Sequence, residues 1–275
     1  KEEELNSVSF AKELSKIGDI YINEAFPCSH RAHASVCEIT KHINSFAGKQ
    51  LLEEVNIIKM LTNNAKKPIT CIIGGSKIST KSGVIINLIK KMENIVIVGA
   101  MANTFIKQKG YNIGQSIFEK NQENLIEDII QESKKNNCNI ILPEDVITSI
   151  NHNSKGDLKS LDQITDNDLI LDIGKKTLQN IFKVIDESKT VLWNGPAGFF
   201  EIDEFAIGSK KIANKISENT KNKSLISVAG GGDTIAAISK FKCSNGFTYL
   251  STAGGAFLEF LEGKVLPGIK ALEVN

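Results

Sequence analysis

The chain has 275 residues, 41% of them hydrophobic and 24% charged, with a formal net charge of +1. Such a length buries a full core and makes one large or two ordinary domains of a globular protein. The near-neutral charge argues against a nucleic-acid footprint made by bulk charge, and no apolar stretch reaches the roughly 20 residues of a membrane helix.

In chain order, the opening KEEELNSVSF carries no initiator Met and no signal-like or transit-like composition, and reads as part of a longer chain. A strand is expected at DIYIN (19–23). The helix LLEEVNIIKMLTNN then places Leu51, Val55, Ile58 and Leu61 on one face. It is either one more packed helix or a connector between two domains, and Pro68 resets the backbone after it. Strands follow at 69–73, 94–98, 139–143, 169–173, 190–194, 225–229 and 247–251. Helix-like segments at 83–92, 119–135, 203–219 and 233–240 lie between them, so βα units and a mainly parallel sheet are expected. Five scattered cysteines (Cys28, Cys37, Cys71, Cys138, Cys243) form no C-x-x-C pair. They suggest neither zinc nor a disulfide framework, and fit a reducing cytoplasm.

Glycine-rich junctions recur after the predicted strands: CIIGGSKISTK (71–81), IVGAMANTF (97–105), LWNGPAGFFE (192–201), VAGGGDT (228–234) and LSTAGGAF (250–257). In a parallel α/β sheet such loops gather at the carboxyl ends of the strands, where ligands bind. A bare backbone at Gly230, Gly231 and Gly232 serves either a tight turn or close approach of phosphate to helix amides. No junction reads G-x-x-x-x-G-K-[ST] or G-x-G-x-x-G, so neither the P-loop nor the dinucleotide fingerprint is supported. On a helix starting near Ser76, Lys77 and Lys81 would share a face beside Gly74 and Gly75, either as solvated charges or as an anion site. Arg31, in SHRAHAS, is the only arginine. Its planar fork suits two-point binding of phosphate or carboxylate, or a buried ion pair.

DIYINEAFPCSHRAHAS, IIGGSKISTK, VLWNGPAGFFE, AGGGDT and STAGGAFLEFLEGKVLPG, in this order, resemble the successive signatures of the phosphoglycerate kinase family over nearly the whole chain. The resemblance implies an α/β fold, with a Rossmann-like three-layer nucleotide domain and an incomplete second α/β domain. Residues 1–46 would be a remnant of the 3-phosphoglycerate domain and 47–66 the interdomain helix and linker. Residues 67–255 would form the nucleotide domain, and 256–275 a segment returning to the first domain. The implied reaction is reversible phosphoryl transfer between ATP and the carboxylate of 3-phosphoglycerate, giving 1,3-bisphosphoglycerate, by a cytoplasmic, hinge-bending monomer.

By the same resemblance Lys77, Gly232 and Gly255 are catalytic, and Gly75, Lys81, Asn194, Glu201, Gly231, Gly232, Asp233 and Thr234 bind nucleotide. Asp233 also meets Mg²⁺, and Arg31 binds phosphoglycerate. No nucleic-acid or membrane partner is implied. The sequence departs from the family pattern at Ala253, at Gly99 and Ala100, and at Lys175. With the family's amino-terminal contacts not in the chain, the expectation for the chain alone is Mg-nucleotide binding without turnover. A non-catalytic Mg-nucleotide module is the alternative. A dehydrogenase-like dinucleotide binder lacks its fingerprint.

Overall fold

The computed structural model describes residues 1–223 and 225–273; Ser224 and the last two positions of the expected segment 256–275 lie outside the described residues. The helices are α1 (Val8–Leu14), α2 (Lys49–Asn63), α3 (Ser82–Ile89), α4 (Ala100–Gln108), α5 (Glu123–Lys135), α6 (Lys175–Glu187), α7 (Ile207–Lys223), α8 (Gly232–Lys240), α9 (Gly255–Leu261) and α10 (Pro267–Glu273). The strands are β1 (Tyr21–Asn23), β2 (Ser45–Ala47), β3 (Ile69–Ile73), β4 (Asn94–Ile97), β5 (Asn139–Ile141), β6 (Asp145–Ser149), β7 (Asp157–Ser160), β8 (Leu169–Ile173), β9 (Thr190–Asn194), β10 (Ile226–Gly230) and β11 (Tyr249–Ser251). Two compact units result: Lys1–Asn64 together with the residues from Ser251 onward, and Ala65–Leu250.

In the first unit β1 and β2 pair in parallel, Ile22 opposite Phe46. A small core of Ala11, Ala34 and Ile39 gathers Phe10, Leu14, Tyr21 and Ile43 around it. Helix α2 buries Leu51, Val55, Ile58 and Leu61, the face expected from the periodicity. The Glu24 carboxylate accepts from the Gln50 and Leu51 amides at 2.9 and 3.2 Å, which satisfies free donors at the amino end of that helix. By its contacts α2 groups with this unit.

The second unit is built on a six-stranded sheet of order β11-β10-β9-β3-β4-β5. The pairs from β10 to β5 are all parallel, as expected for βα units. Strand β3 is buried at every residue, which is why its β-branched run ITCII shows no alternation. Helices α6 and α7 bury Leu178, Ile181 and Ile185, and Ile212 and Ile216, in one core with Ile72, Val96 and Trp193. The segment 169–173 is a strand as expected but lies outside the main sheet. It pairs antiparallel with β6 in a three-stranded sheet of order β7-β6-β8.

Because β3 and β9 are parallel neighbours, with Ile73 opposite Asn194, the loops after them leave the same sheet edge side by side. The Gly74 amide donates to Asn194 O at 2.8 Å. A Cβ at Gly195, whose φ is +108°, would land on the Gly74 carbonyl, and one at Gly74 would land on Pro196 O. Backbone meets backbone here with no room for a methyl. Gly110 offers a control, since it too has positive φ (+90°) but faces open space. Gly110→Ala should lose about 1–2 kcal/mol through strain alone, and Gly195→Ala distinctly more. Urea melts of the two variants check the order, and equal losses would contradict the close approach.

Candidate functional site

Five parallel strands direct their carboxyl ends to one edge, and the loops there enclose a cleft of about 410 Å³. Its walls include Gly75 and Ser76 after β3, Gly99 after β4, Pro196–Glu201 after β9 and Asp233 at the start of α8. The loops are tied to one another: Gly99 N donates to Ala197 O at 3.1 Å and Met101 N to Gly75 O at 2.8 Å. Two helices, α4 and α8, begin at this edge, so the positive ends of their dipoles face it. In α4 the Met101 and Ala102 amides are taken by Gly75 O and Gly99 O, which leaves the start of α8 as the end open to an anion. The cleft therefore favours an anion whose oxygens approach backbone.

Lys81 is the charge beside it: a Cβ at the lining residue Gly75 would come 3.4 Å from the Lys81 Nζ. Its Nζ donates to Gly74 O and, at 2.7 Å, to Asn194 Oδ1, so one ammonium bridges the clamped β3 and β9 loops. Burial lowers its pKa to about 8, against its ordinary 10.5, and nearby Asp233 offsets this only in part. Asn194, itself buried, completes the bridge by donating from Nδ2 to Gly230 O at 2.7 Å. Gly231, with φ +95°, leaves room for that amide, since a Cβ would stand 2.9 Å from it.

The other expected residues divide by position. Gly232 and Asp233 are exposed in the first turn of α8, and Glu201 is exposed on the cleft wall. Lys240 holds the end of the Glu201 loop by donating to Phe200 O and Glu201 O at 2.9 and 3.0 Å. Thr234 is buried, and its hydroxyl accepts from Gly195 N at 2.7 Å, so this side chain pins α8 to the β9 loop rather than facing the cleft. No helix starts at Ser76, which corrects the expected pairing of the two lysines. Helix α3 begins at Ser82 with Lys81 as its cap residue, and Lys77 sits exposed in the preceding loop; neither lysine lines the cleft, but Lys81 is half-buried beside the lining residue Gly75. In the first unit, Arg31 stands exposed with Nε 3.4 Å from His30 Nε2, and a Cβ at Gly255 would come 3.2 Å from that same nitrogen. His30, Arg31 and Gly255, far apart in sequence, are thus neighbours.

A family model described as "Phosphoglycerate kinase" matches residues 1–264. The chain belongs to the phosphoglycerate kinase family. Similar proteins include the phosphoglycerate kinase of Orientia tsutsugamushi (strain Ikeda), 47% identical over 273 residues, covering 98% of this chain and 67% of that protein. The phosphoglycerate kinase of Wolbachia pipientis subsp. Culex pipiens (strain wPip) is 45% identical and covers 98% of this chain and 69% of that one. Among solved structures, phosphoglycerate kinase from Coxiella burnetii superposes with a TM-score of 0.93 at 37% identity, over all of this chain and 70% of its own. The chain thus spans about 70% of the length of these relatives.

Against the family pattern, the two alanines in the glycine-rich loops are conformationally ordinary. Among the described residues the non-glycine positions with positive φ are Asn6, Asn121, Asn137 and Lys242, so neither Ala100 nor Ala253 is forced into the left-handed region. Two cleft residues, Asn103 and Asp172, have no counterpart in the sequence reading. Asn103 lies on α4, which buries Met101 through Ile106 on every side and so shows no amphipathic period.

The lowered pKa of Lys81 has a definite sign. An ammonium that is harder to protonate in the fold than in the unfolded chain destabilises the fold below about pH 8. That penalty fades as pH rises from about 8 to 10.5, so stability from this group rises across the same window. Relative to Lys81→Met, the wild-type chain should gain stability between these pH values in urea unfolding. Parallel curves would contradict the burial of this charge.

Proposed function

We propose that the cleft of the second unit binds Mg-ADP or Mg-ATP, and that the His30, Arg31 and Gly255 neighbourhood of the first unit binds 3-phosphoglycerate. The reaction is then reversible phosphoryl transfer between ATP and the carboxylate of 3-phosphoglycerate, giving 1,3-bisphosphoglycerate. The observation that carries this reading is the ammonium of Lys81, bridging the β3 and β9 loops beside a cleft walled in part by glycine backbone and the start of α8, in a chain of this family. The phosphates lie over Lys81 and the first amides of α8, and Glu201 takes the ribose hydroxyls at the cleft wall.

Among the described residues no three His, Cys, Asp or Glu side chains cluster to hold a metal by themselves. A single exposed carboxylate, Asp233, beside a phosphate site suits Mg²⁺, which is commonly held by one or two carboxylates together with substrate phosphates. When bound, the ion neutralises charge on the phosphate oxygens. Neither a covalent intermediate nor a dedicated base is needed, since the attacking carboxylate or nucleotide phosphate is already anionic. Catalysis is positioning and charge stabilisation. Transfer between a nucleotide on one unit and a substrate on the other calls for hinge closure, which also excludes water. We further read the protein as a cytoplasmic monomer without a nucleic-acid partner, its five free thiols suiting a reducing compartment.

Lys81→Met should weaken Mg-ADP binding at least tenfold, as expected for loss of a charge-assisted contact to phosphate. Calorimetric titration of the folded chain measures it, and absence of Mg-ADP binding by the wild-type chain would remove the nucleotide assignment. The exposure of Lys77, in contrast to the half-buried Lys81 tied to both loops, favours, as a second reading, a module that holds Mg-nucleotide without transferring phosphate. Wherever turnover is measurable, Lys77→Ala should lower it by about 10² to 10³ while sparing nucleotide affinity. Unchanged turnover would move Lys77 out of catalysis.

A further inference from the structure

Asp172, at the end of β8, lines the cleft wall yet is only 2% exposed. Its Oδ2 accepts from Gly208 N, in the first turn of α7, at 2.7 Å, and its Oδ1 from Ile173 N at 2.8 Å. Both Gly198 and Gly208 lie directly against this carboxylate, with no space for a Cβ on either. Gly198 belongs to the loop that runs from β9 to Glu201. The same loop is held by Phe199 N donating to Leu171 O at 2.8 Å and by Ala197 N donating to Ser209 Oγ at 2.8 Å. Each tie joins the loop to β8 or to α7, and Asp172 is the side chain that joins β8 to α7.

Among the described residues no cation compensates this charge. Lys210 and Lys211 of α7 are exposed, as are Lys175 and Lys176 of α6, and Lys176 pairs with Glu144. Asp203 pairs with Lys240, Glu204 accepts from Gly156 N, and Asp145 of β6 accepts from the first amides of α6. Glu201 and His152 are exposed on the cleft wall, the His152 ring against Phe199. A carboxylate buried without a cation is costly even with two amide donors. Burial pushes its pKa up to about 7, the two amides offsetting only part of the effect. A neutral side chain would relieve that cost, so the charge answers a requirement other than stability.

We propose that Asp172 is a positioning residue for nucleotide binding: its carboxylate docks the amino end of α7 on β8 and thereby sets the Pro196–Glu201 wall of the cleft. This rests on the nucleotide reading above. The ionised carboxylate accepts from both amides, whereas the protonated acid turns an O–H toward one of them and loosens the wall. Cleft geometry and nucleotide affinity therefore weaken as pH falls through about 7. Stability moves the other way, since this group destabilises the fold progressively from its ordinary 3.8 up to about 7.

The test compares the wild-type chain with Asp172→Asn, which keeps the shape but presents an amide group to one of the two donors. Mg-ADP affinity at pH 8 should be about tenfold tighter in the wild type, the value of a hydrogen bond to a charged group, and the two should agree within about twofold at pH 6. The phosphate and Lys81 titrate in both proteins and cancel in the comparison. A readout independent of nucleotide is the emission of Trp193, the only tryptophan, whose indole N–H donates to Gly195 O at 2.8 Å at the start of the same loop. It should titrate with a midpoint near pH 7 in the wild type and stay flat in Asp172→Asn. Equal affinities at pH 8 overturn the proposal. So does wild-type emission that is flat from pH 6 to 8, which needs no variant to fold. An Asp172-dependent emission change in a chain that binds no Mg-ADP would overturn the nucleotide reading and support the hold of Asp172 on the loop.

Discussion

The second unit depends on one close approach: the backbone of Gly74 against that of Gly195, at the carboxyl ends of two adjacent parallel strands. Everything that gives the cleft its chemistry is referred to this contact. Lys81 reaches its position by bridging the two loops through Gly74 O and Asn194 Oδ1, and Asn194 in turn reaches across to Gly230. Thr234 fixes the amino end of α8 to Gly195 N. A chain of short polar contacts thus runs from β3 through β9 to β10, and moving one loop moves the others.

Two charges of opposite sign, Lys81 half-buried and Asp172 buried, stand at this edge, and both are held at the expense of folding. Lys81 lies beneath the glycine loops with a lowered pKa, and Asp172 lies behind the β9 loop with a raised one. They have different surroundings. The ammonium is bonded to a carbonyl and an amide oxygen, neutral acceptors that leave its charge uncompensated, so the proposed phosphate would supply the negative charge it lacks. The carboxylate is bonded to two backbone amides and supports the wall from behind. A site that carries uncompensated charge before its ligand arrives spends stability on affinity, the exchange expected at a functional cleft.

The sheet was legible from its buried β-branched runs, since ITCII and TVLWN each fall on an observed strand residue for residue. The glycine junctions were legible too, because glycines clustered after strands have few other uses. Periodicity failed where burial or exposure is uniform. Helix α4 is buried on nearly all sides, and β7 has no buried residue, so neither displays a contrast between faces. The two lysines were spaced as if on one helix, but α3 starts six residues after Ser76, and the intervening loop sends Lys81 inward and leaves Lys77 outside. Asp172 was invisible for a different reason: within LILDI it is one acid in an apolar strand, and only the fold shows that it meets the amino end of a helix 35 residues later. The neighbourhood of Arg31 and Gly255 likewise needs the return of the chain into the first unit, which no local pattern encodes.

The central claim is that nucleotide enters a cleft already formed by these interlocked loops. Hydrogen–deuterium exchange of the chain with and without Mg-ADP tests it most directly. The account predicts added protection confined to residues 74–81, 99–103, 195–201 and 231–234, with β6 and β7 unchanged. Protection centred instead on β5 and the start of α6, or spread evenly over the second unit, would contradict it.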